Sequence, residues 1–591
     1  MHVLSTAGHV DHGKSALVRA LTGMEPDRWE EERRRGLTID LGYAWTTLPT
    51  GEQVAFVDVP GHQRFIGNML AGLGPAPAVV LVVAADEGWR QQSEEHLAAV
   101  DGLGLRHGLL VVTRSDLADP AAALAAARER LASSSLAGCE AVAVSARTGE
   151  GMPQLRAALS RLVAGLPEPV TDGRVRLWID RAFTIRGSGT VVTGTIGEGT
   201  LSVGDELEVR GRLVRVRGLQ SLERPAESVA AVARVAVNVR GVSLDELSRG
   251  DALLTPGAWS RSSILDVRLG ADPAGLPAEG TFHLGTTAVK ARLRPLAGDA
   301  ARLTLGAPLP LRAGDRAILR FPGAQRRVAG ALVLDADPPA LRRRGAGRRR
   351  GADLARATGA LDLEAEVGRR GAMRAEQAEA LGLTVSEADV ARAPAITRHG
   401  GWLVATSAWR AWAAALATAV RTRAEADPLD PALTLEAART AAGIPDRALL
   451  LEVAADLGLQ VEGGRVRAPG VTPVLGAAAE QGLAALCARL GTHPFAAPER
   501  PDLDAAGLGP RELAAAVRTG RLIRLADDVV LLPSGPAQAM RVLQALPQPF
   551  TTSQARQALE TTRRVVIPLL EHLDGRGWTQ RIDGSHRRVR R

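Results

Sequence analysis

Cysteine and lysine are the two amino acids that this sequence almost lacks. Its two cysteines, Cys139 and Cys487, are far apart and have no neighbours spaced as metal ligands. This excludes a disulfide framework and leaves a zinc site without support, so both thiols are expected to be small buried hydrophobic groups. Of the 73 basic residues, only Lys14 and Lys290 are lysine. Arginine is thus the usual cation of this chain, and the lysine at position 14 stands out.

Long apolar runs are missing as well. The longest run in the first domain, residues 76–85, is about half the length needed to cross a bilayer and predicts a buried strand instead. Residues 1–4 lead directly into a predicted strand, without the basic start and the apolar stretch of a secretory signal. We therefore expect a cytoplasmic protein with no membrane-spanning segment.

The length of 591 residues exceeds what one hydrophobic core supports and predicts four or more domains. With 46% hydrophobic and 23% charged residues, the composition is that of an ordinary globular protein. The net charge of +8 is unevenly distributed, because residues 541–591 carry ten arginines against four acidic residues. This concentration of positive charge predicts that the C-terminal end binds nucleic acid.

A glycine-rich loop near the start predicts a phosphate-binding site. The loop follows a predicted strand at residues 3–7 and precedes a predicted amphipathic helix at residues 16–21. Its residues are Gly8, His9, Val10, Asp11, His12, Gly13, Lys14 and Ser15. In this arrangement, backbone N–H groups and the helix N-terminus surround the phosphates. Lys14 would contact the β- and γ-phosphates as a compact ammonium group, and the Ser15 hydroxyl would bind Mg²⁺.

Two further segments supply candidate groups for the γ-phosphate. Residues 58–62 end a predicted strand and have the sequence Asp-Val-Pro-Gly-His. Asp58 is expected to hold Mg²⁺ through a water, the Gly61 amide to contact the γ-phosphate, and His62 to orient the attacking water. Residues 33–40 have the character of a switch segment, in which Thr38 completes the Mg²⁺ shell when GTP is bound. Taken alone, His62 would be an exposed loop histidine and residues 33–40 a charged surface loop.

The nucleotide base is expected to be chosen by residues that follow two later strands. These residues are Thr113, Arg114, Asp116, Ser145 and Ala146. The Asp116 carboxylate can accept from guanine N1–H and the exocyclic amine, which adenine cannot offer, so the pattern predicts GTP rather than ATP. The general GTPase pattern is Asn-Lys-x-Asp, from which Thr113 and Arg114 depart. An arginine stem can still pack on the base as lysine does.

Together these motifs resemble those of the translational GTPases, the class of elongation factor Tu. The resemblance implies an α/β P-loop GTPase domain followed by two β-barrel domains, with GTP or GDP and Mg²⁺ as cofactors. The predicted ranges are 1–168 for the GTP-binding domain and 173–258 and 262–338 for the barrels. After a linker at residues 165–169, short strands separated by glycine-containing turns independently predict all-β structure.

The opening of the second domain resembles one branch of that class. Residues 177–194 are similar to the corresponding segment of the bacterial selenocysteine-specific elongation factors, the SelB family. The resemblance implies an aminoacyl-tRNA pocket formed by Asp180, Arg181 and Arg234. A selenol is far more acidic than an alcohol, so two guanidiniums would favour the selenolate over neutral serine. Without the resemblance, Asp180 and Arg181 would be interpreted as an ordinary surface ion pair.

Four repeats of a helix pair and a hairpin follow a basic connector at residues 341–350, which is either flexible or in contact with nucleic acid. Each repeat predicts a small winged helix, so the chain ends in an arm of tandem winged-helix domains. The predicted ranges are 356–408, 410–470, 476–536 and 538–591. The last module is expected to bind RNA through Arg563, Arg564, Arg587, Arg588 and Arg590. The first three are less basic and are interpreted as spacers.

Four winged helices after three such domains match the selenocysteine factors, because elongation factor Tu ends after its third domain. The resemblance implies a ribosome-stimulated GTPase that carries selenocysteinyl-tRNA to the ribosome at UGA codons and binds an mRNA hairpin, the SECIS element. We also expect a monomer with no membrane partner. One alternative is another tRNA-carrying GTPase, such as an initiation factor. Another is a DNA-binding regulator with a nucleotide switch, since winged helices more often bind DNA.

Overall fold

The structure is a computed structural model that describes residues 1–26, 38–187, 189–321 and 328–590. Residues 33–37 of the predicted switch segment, and Ser188, lie outside the described residues. The chain divides into two compact units, Met1–Pro394 with Gly400–Leu403 and Ala395–His399 with Val404–Arg591. Within the described ranges, no helix is long and apolar enough to cross a membrane.

The first unit begins with a three-layer α/β domain. Its strands are β1 (His2–Gly8), β2 (Gly42–Thr47), β3 (Gln53–Asp58), β4 (Ala78–Ala84), β5 (His107–Thr113) and β6 (Glu140–Ala143). Its helices are α1 (Lys14–Thr22), α2 (Ile66–Leu73), α3 (Gln91–Leu103), α4 (Pro120–Leu131) and α5 (Met152–Ala164). The sheet order is β2-β3-β1-β4-β5-β6, and all neighbours are parallel except β2 and β3.

The strands are continuous apolar runs because helices cover both faces of the sheet. All seven residues of β4 are at most 1% exposed, which confirms the buried strand predicted for the apolar run. Helices α1 and α5 pack on one face through Leu17 and Leu159, and α2 and α3 on the other through Met69 and Val100. The carboxyl ends of parallel strands share one edge, so the segments after β1, β3, β5 and β6 meet there.

Two β-barrels make up most of the remainder of the first unit. The strands of the first are β7 (Arg176–Ile185), β8 (Gly189–Ile196), β9 (Thr200–Ser202), β10 (Glu206–Val209), β11 (Arg212–Ser221), β12 (Arg224–Ala226), β13 (Ser228–Ala230), β14 (Ala233–Arg240) and β15 (Ala252–Leu254). A β10–β11 pairing closes its ring. The second is a closed barrel of β16 (Arg261–Leu269), β17 (Glu279–Leu284), β18 (Thr287–Pro295), β19 (Ala300–Pro310), β20 (Arg316–Arg320) and β21 (Val328–Asp335). In β14, Val235 and Val237 are buried in the barrel core, and the alternation of a strand places Arg234 outside it.

The basic connector at residues 341–350 leads into folded structure. The elements after it are α6 (Ala346–Leu354), α7 (Leu363–Arg370), β22 (Ala372–Arg374), α8 (Ala375–Ala380) and α9 (Glu387–Ala391). Arg350 of α6 is 7% exposed, donates to Asp266 of the second barrel at 2.7 Å, and also pairs with Asp335. The sequence left two alternatives for this connector, flexibility or contact with nucleic acid. Arg350 fits neither alternative, because it is buried and paired with carboxylates of the second barrel.

The second unit consists of helix pairs and hairpins. Its elements are β23 (Ile396–His399), β24 (Trp402–Ala405), α10 (Thr406–Ala426), β25 (Leu433–Thr434), α11 (Leu435–Ala442), α12 (Arg447–Asp456), β26 (Gln460–Glu462), β27 (Arg465–Arg467), α13 (Ala477–Thr492), α14 (Arg500–Ala505), α15 (Pro510–Arg518), β28 (Ile523–Ala526), β29 (Val529–Leu531), α16 (Gly535–Gln544), β30 (Phe550–Thr551), α17 (Thr552–Ala558), α18 (Arg563–Gly575), β31 (Thr579–Arg581) and β32 (His586–Val589). The division between the units falls in the β23–β24 hairpin, within the range 356–408 predicted for the first winged helix. The fold class predicted from the sequence is confirmed.

The last two modules share one hydrophobic core. Leu486 and Leu513 of the third module are buried in the same cluster as Val566 and Leu570 of the fourth. The third module therefore supplies part of the core of the fourth, a structural role beyond that of a spacer. Both cysteines are free and half-buried, with Cys487 packed against this core and Cys139 against that of the first domain.

Candidate nucleotide site and aminoacyl pocket

The glycine-rich loop joins β1 to α1 in a shape that requires glycine at two points. Gly8 has φ +138° and a Cβ atom there would lie 2.2 Å from the Val82 carbonyl oxygen, while Gly13 has φ +80° at the start of α1. Lys14 is 6% exposed and its Nζ donates to the carbonyl oxygens of Gly8 at 3.1 Å and His9 at 2.7 Å. The ammonium group therefore lies against the loop that is predicted to hold phosphates.

The three predicted magnesium ligands lie together. Ser15 Oγ donates to Asp58 Oδ2 at 2.6 Å and is 3.0 Å from Thr38 Oγ1. Asp58 is fully buried, and Thr6 Oγ1 donates to its other oxygen at 2.7 Å. Burial raises the pKa of the Asp58 carboxyl above its usual value, and the nearby Lys14 ammonium offsets only part of this rise. Two hydroxyls and a buried carboxylate form a set of hard oxygen donors, the kind that Mg²⁺ prefers.

Gly61 packs directly against the phosphate loop. A Cβ atom at this position would lie 2.5 Å from Val10 N and 2.6 Å from Lys14 Nζ, so the close approach depends on glycine. The adjacent His62 is half-buried and caps the short helix Gln63–Phe65, where its Nδ1 accepts from the Arg64 N–H at 3.2 Å. The structure thus brings Gly61 to the loop and fixes the ring of His62 through one nitrogen.

The residues predicted to select the base lie after β5 and β6. Thr113 Oγ1 donates to the His12 carbonyl oxygen at 2.7 Å, so the threonine in place of the usual asparagine connects β5 to the phosphate loop. Arg114 donates to the Asp11 carbonyl oxygen and pairs with Asp86 and Glu87.

The Asp116 carboxylate lies beside the segment after β6. It accepts from Arg147 Nε at 2.9 Å, and hydrogen bonds from Ser145 and Arg147 lower its pKa. Ser145 is fully buried and its Oγ accepts from Thr148 N–H at 3.1 Å, while Ala146 is half-buried next to it. The ionised carboxylate and the Ser145–Ala146 turn therefore lie at the same edge of the sheet as the phosphate loop.

Two supporting residues on α3 have no counterpart among the sequence predictions. The Gly8 N–H donates to His96 Nδ1 at 2.9 Å, and the Val10 N–H donates to Gln92 Oε1 at 3.0 Å. Burial lowers the pKa of His96 to about 3, so the ring stays neutral and remains an acceptor. The signal in the sequence is a histidine among the apolar positions of the segment that forms α3, and such a histidine is more often a core residue than a functional one.

His9, His12 and Glu87 also approach one another, with ligand atoms within 4.8 Å. Burial lowers the pKa of His12 to about 4, so its ring is neutral. However, Glu87 already pairs with Arg114 at 3.0 Å and with Arg90 at 3.7 Å. A divalent cation would meet these two positive charges, so we interpret the group as a support for the loop.

Of the three predicted aminoacyl-pocket residues, Arg181 and Arg234 line a cavity of about 270 Å³ between strands β2 and β3 and the first barrel, whereas Asp180 does not line it. Asp180 is 6% exposed and accepts hydrogen bonds from two guanidinium nitrogens of Arg234, Nη1 and Nη2, the second at 2.8 Å. Asp180 is therefore paired with Arg234, which differs from the Asp180–Arg181 surface pair that the sequence alone suggested. Arg234 also lies over the Tyr43 ring, 3.8 Å from its centroid, and Arg181 is 5.2 Å from the same ring.

The predicted RNA-binding arginines of the last module have different environments. Arg587 is 6% exposed and its Nε donates to Asp574 at 2.9 Å, so its assignment to an RNA-binding surface is corrected: its guanidinium holds the wing on α18. Arg564 donates to carbonyl oxygens of the third module, including Pro498 at 2.8 Å. Arg564 is nevertheless exposed, as are Arg563, Arg588 and Arg590, and Arg588 donates to Gln580 Oε1 at 2.9 Å. The available surface therefore consists of fewer arginines than were counted from the sequence.

Comparisons with known proteins show which family this chain belongs to. The family models that match are the elongation factor Tu GTP-binding domain at residues 1–164, elongation factor Tu domain 2 at 189–254, the selenocysteine-specific elongation factor β-barrel domain at 281–340 and the SelB winged helix at 541–588. Elongation factor Tu 2 of Streptomyces avermitilis is 31% identical over 378 residues, which cover 56% of this chain and 94% of that protein. The chain belongs to the elongation factor Tu family.

Within that family the matches identify the SelB branch. The selenocysteine-specific elongation factor of Desulfomicrobium baculatum is 37% identical over 351 residues, 56% of this chain and 55% of that protein. The aligned part of this chain thus spans about half the length of the curated SelB relatives that it matches. The crystal structure of a bacterial selenocysteine-specific elongation factor, EF-Sec, aligns with the whole of both chains at a TM-score of 0.70 and 25% identity.

Proposed function

We propose that this chain is a selenocysteine-specific translation elongation factor. In this proposal it binds GTP, delivers selenocysteinyl-tRNA to the ribosome at UGA codons and hydrolyses GTP on correct decoding. The observation that carries the proposal is the pair of partly buried guanidiniums, Arg181 and Arg234, which line one cavity between the GTP-binding domain and the first barrel. Fixed positive charges in a partly desolvated cavity favour an anion, and a selenol ionises far more readily than the hydroxyl of serine.

The nucleotide would lie along the carboxyl edge of the α/β sheet. The loop of residues 8–15 would hold the phosphates through its N–H groups, and the ammonium of Lys14 would exchange its carbonyl partners for phosphate oxygens. The hydroxyl oxygens of Ser15 and Thr38 would hold Mg²⁺ directly and Asp58 would hold it through a water, and the ion when bound neutralises charge on the β- and γ-phosphates. Asp116 would accept from guanine, with Arg114 and the Ser145–Ala146 segment beside the base.

His62 would orient the attacking water. Its Nδ1 accepts from a backbone N–H, so in the neutral ring the proton is on Nε2. In this tautomer Nε2 is a donor, which can position the water oxygen but cannot remove its proton. The role proposed for His62 is therefore positioning and stabilisation of the transition state rather than general-base catalysis.

The terminal modules would bind the SECIS hairpin of the mRNA. The exposed Arg563, Arg588 and Arg590 would contact phosphates, whose counterions are released on binding. Sequence selection would come from unpaired or bulged bases, because the deep groove of A-form RNA hides base edges. We further propose that the protein acts as a monomer in the cytoplasm, together with the ribosome.

The test is a binding assay with the full chain and a non-hydrolysable GTP analogue. We expect selenocysteinyl-tRNA to bind at least about tenfold more tightly than seryl-tRNA, and Arg234→Ala to remove most of that preference without changing GTP affinity. Arg212→Ala is the matched control, because it removes an exposed arginine–carboxylate pair from the same barrel. Equal loss of both tRNAs would contradict the pocket assignment. Binding of duplex DNA without tRNA binding would favour the regulator alternative.

A further inference from the structure

Residues 38–41 connect the predicted magnesium ligands to the aminoacyl pocket, and the connection begins at the nucleotide side. Thr38 Oγ1 is 3.0 Å from Ser15 Oγ, which in turn donates to Asp58. The carbonyl oxygen of the next residue, Ile39, accepts from Asn68 Nδ2 at 2.8 Å. Asn68 lies on α2, the helix that follows the segment with Gly61 and His62. The first two residues of this segment are thus held by groups around the γ-phosphate position.

The next two residues are held by the first barrel. Asp40 is 3.2 Å from Arg181 through one carboxylate oxygen and 3.2 Å from Arg249 through the other. Arg181 also donates to the Leu41 carbonyl oxygen. All three charged side chains are between 22% and 30% exposed, so their attraction is less screened than that of a fully exposed pair.

The two arginines of the pocket are held in different ways. Arg234 is fixed by Asp180, which belongs to the same barrel and also accepts from Thr193 at 2.6 Å. Arg181 is fixed by Asp40 and Leu41, both of which belong to the GTP-binding domain. The ion pair that holds Arg234 therefore lies within the barrel, although Arg234 also contacts the Tyr43 ring of the GTP-binding domain, whereas both acceptors of Arg181 lie in the segment next to the nucleotide.

We propose that Asp40 is a positioning residue that makes the orientation of Arg181 depend on the bound nucleotide; this inference rests on the proposed function. Asp40 is two positions after Thr38, and consecutive Cα atoms are about 3.8 Å apart, so Thr38 cannot leave the magnesium site without disturbing Asp40. With GTP bound, Thr38 stays near Ser15, and Asp40 and Leu41 hold Arg181 at the cavity. When the γ-phosphate is lost, Arg181 loses these acceptors, and one of the two guanidiniums that attract the aminoacyl group is no longer fixed.

The experiment measures the affinity of the full chain for selenocysteinyl-tRNA with a non-hydrolysable GTP analogue and with GDP. We expect Asp40→Asn, which keeps the shape of the side chain but removes its charge, to weaken binding in the GTP state about tenfold. The affinity in the GDP state, the affinity for GTP itself and the melting temperature should remain near wild type. The ratio of the two tRNA affinities is the readout that a merely structural role of Asp40 would not move.

Arg249→Ala provides a second and independent variant. Arg249 pairs with Asp40 from the barrel but does not line the cavity, so its loss should lower the same ratio by about threefold through Asp40 alone. Arg212→Ala again serves as the control, with no change expected.

The outcomes separate this inference from the function on which it rests. A wild-type chain that binds selenocysteinyl- and seryl-tRNA equally in the GTP state would overturn the proposed function and this inference with it. A wild-type chain that behaves as proposed, combined with an Asp40→Asn variant that keeps the full GTP preference, would overturn the inference alone. Equal weakening in the GTP and GDP states would also overturn it, because Asp40 would then support the pocket in both.

Discussion

Gly61 occupies a position where the structure leaves no room for a side chain, so replacing it tests the nucleotide site directly. A Cβ atom would lie 2.5 Å from Val10 N, 2.6 Å from Lys14 Nζ and 2.8 Å from Val10 Cα. Non-bonded heavy atoms are most favourable at about 3.5–4.0 Å, so Gly61→Ala must separate the two segments by about 1 Å. The phosphate loop resists this movement, because the Val10 N–H is held by Gln92 at 3.0 Å.

We therefore expect the segment of residues 58–62 to move and to take the Gly61 amide away from the γ-phosphate. A misplacement of about 1 Å can reduce a rate about a hundredfold. The variant should lower ribosome-stimulated GTP hydrolysis by about that factor and GTP affinity by about tenfold. GDP affinity should change less than about threefold, because GDP has no γ-phosphate to lose contact with.

Titration with fluorescent GTP and GDP analogues and single-turnover hydrolysis on ribosomes measure these effects. Gly67→Ala is the matched control on the adjacent helix α2, where among the described residues a Cβ atom would meet His283 Cε1 at an ordinary 3.9 Å. That variant should bind both nucleotides normally, since alanine is favoured over glycine within a helix. GTP affinity and hydrolysis of Gly61→Ala within twofold of wild type would refute the placement of Gly61 at the γ-phosphate.

Two other predictions concern His62 and the terminal arm. His62→Ala should leave GTP affinity within about twofold but reduce ribosome-stimulated hydrolysis about a thousandfold, and hydrolysis within a few-fold of wild type would remove His62 from the mechanism. In the arm, joint replacement of Arg563, Arg588 and Arg590 by alanine should abolish binding to the SECIS hairpin in a gel-shift assay while the melting temperature stays unchanged. Arg587→Ala should instead lower the melting temperature, because it leaves Asp574 without its partner, and an unchanged value would contradict the burial argument.

The parts of the site that could be predicted are those in which the chemistry is local in sequence. The loop of residues 8–15 is one continuous segment between β1 and α1, so its pattern carries the whole phosphate-binding shape. The candidate magnesium ligands are separated along the chain, but each belongs to a recognisable motif. The structure brings together the oxygens of Ser15, Thr38 and Asp58. These residues could be predicted because their motifs meet at one place in the fold, the carboxyl edge of the sheet.

The residues whose roles could not be predicted have hydrogen-bond or ion-pair partners far away in the sequence. His96 accepts from Gly8, 88 positions earlier, and Arg350 pairs with Asp266, 84 positions earlier. A basic run such as residues 341–350 looks the same in sequence whether its arginines face solvent or a buried carboxylate. What decides the environment of Arg350 is the second barrel, which places Asp266 and Asp335 where α6 packs. No pattern within residues 341–350 predicts these partners.

The arginine-rich composition explains why counting charges in the sequence overestimates how many arginines the last module leaves available at its surface. Arginine has five donors in a planar fork and readily forms internal bonds to carboxylates and carbonyl oxygens. In the last module Arg587 binds Asp574, Arg581 binds the carbonyl oxygens of Asp583 and Gly584, and Arg564 binds carbonyl oxygens of the third module. Bonds to neutral carbonyls leave the charge of Arg564 and Arg581 in place, so both would still attract the proposed RNA partner over a distance. The slope of RNA affinity against salt concentration depends on the number of phosphates that arginines contact directly. That slope should therefore correspond to fewer arginines than the number that contribute to the long-range attraction.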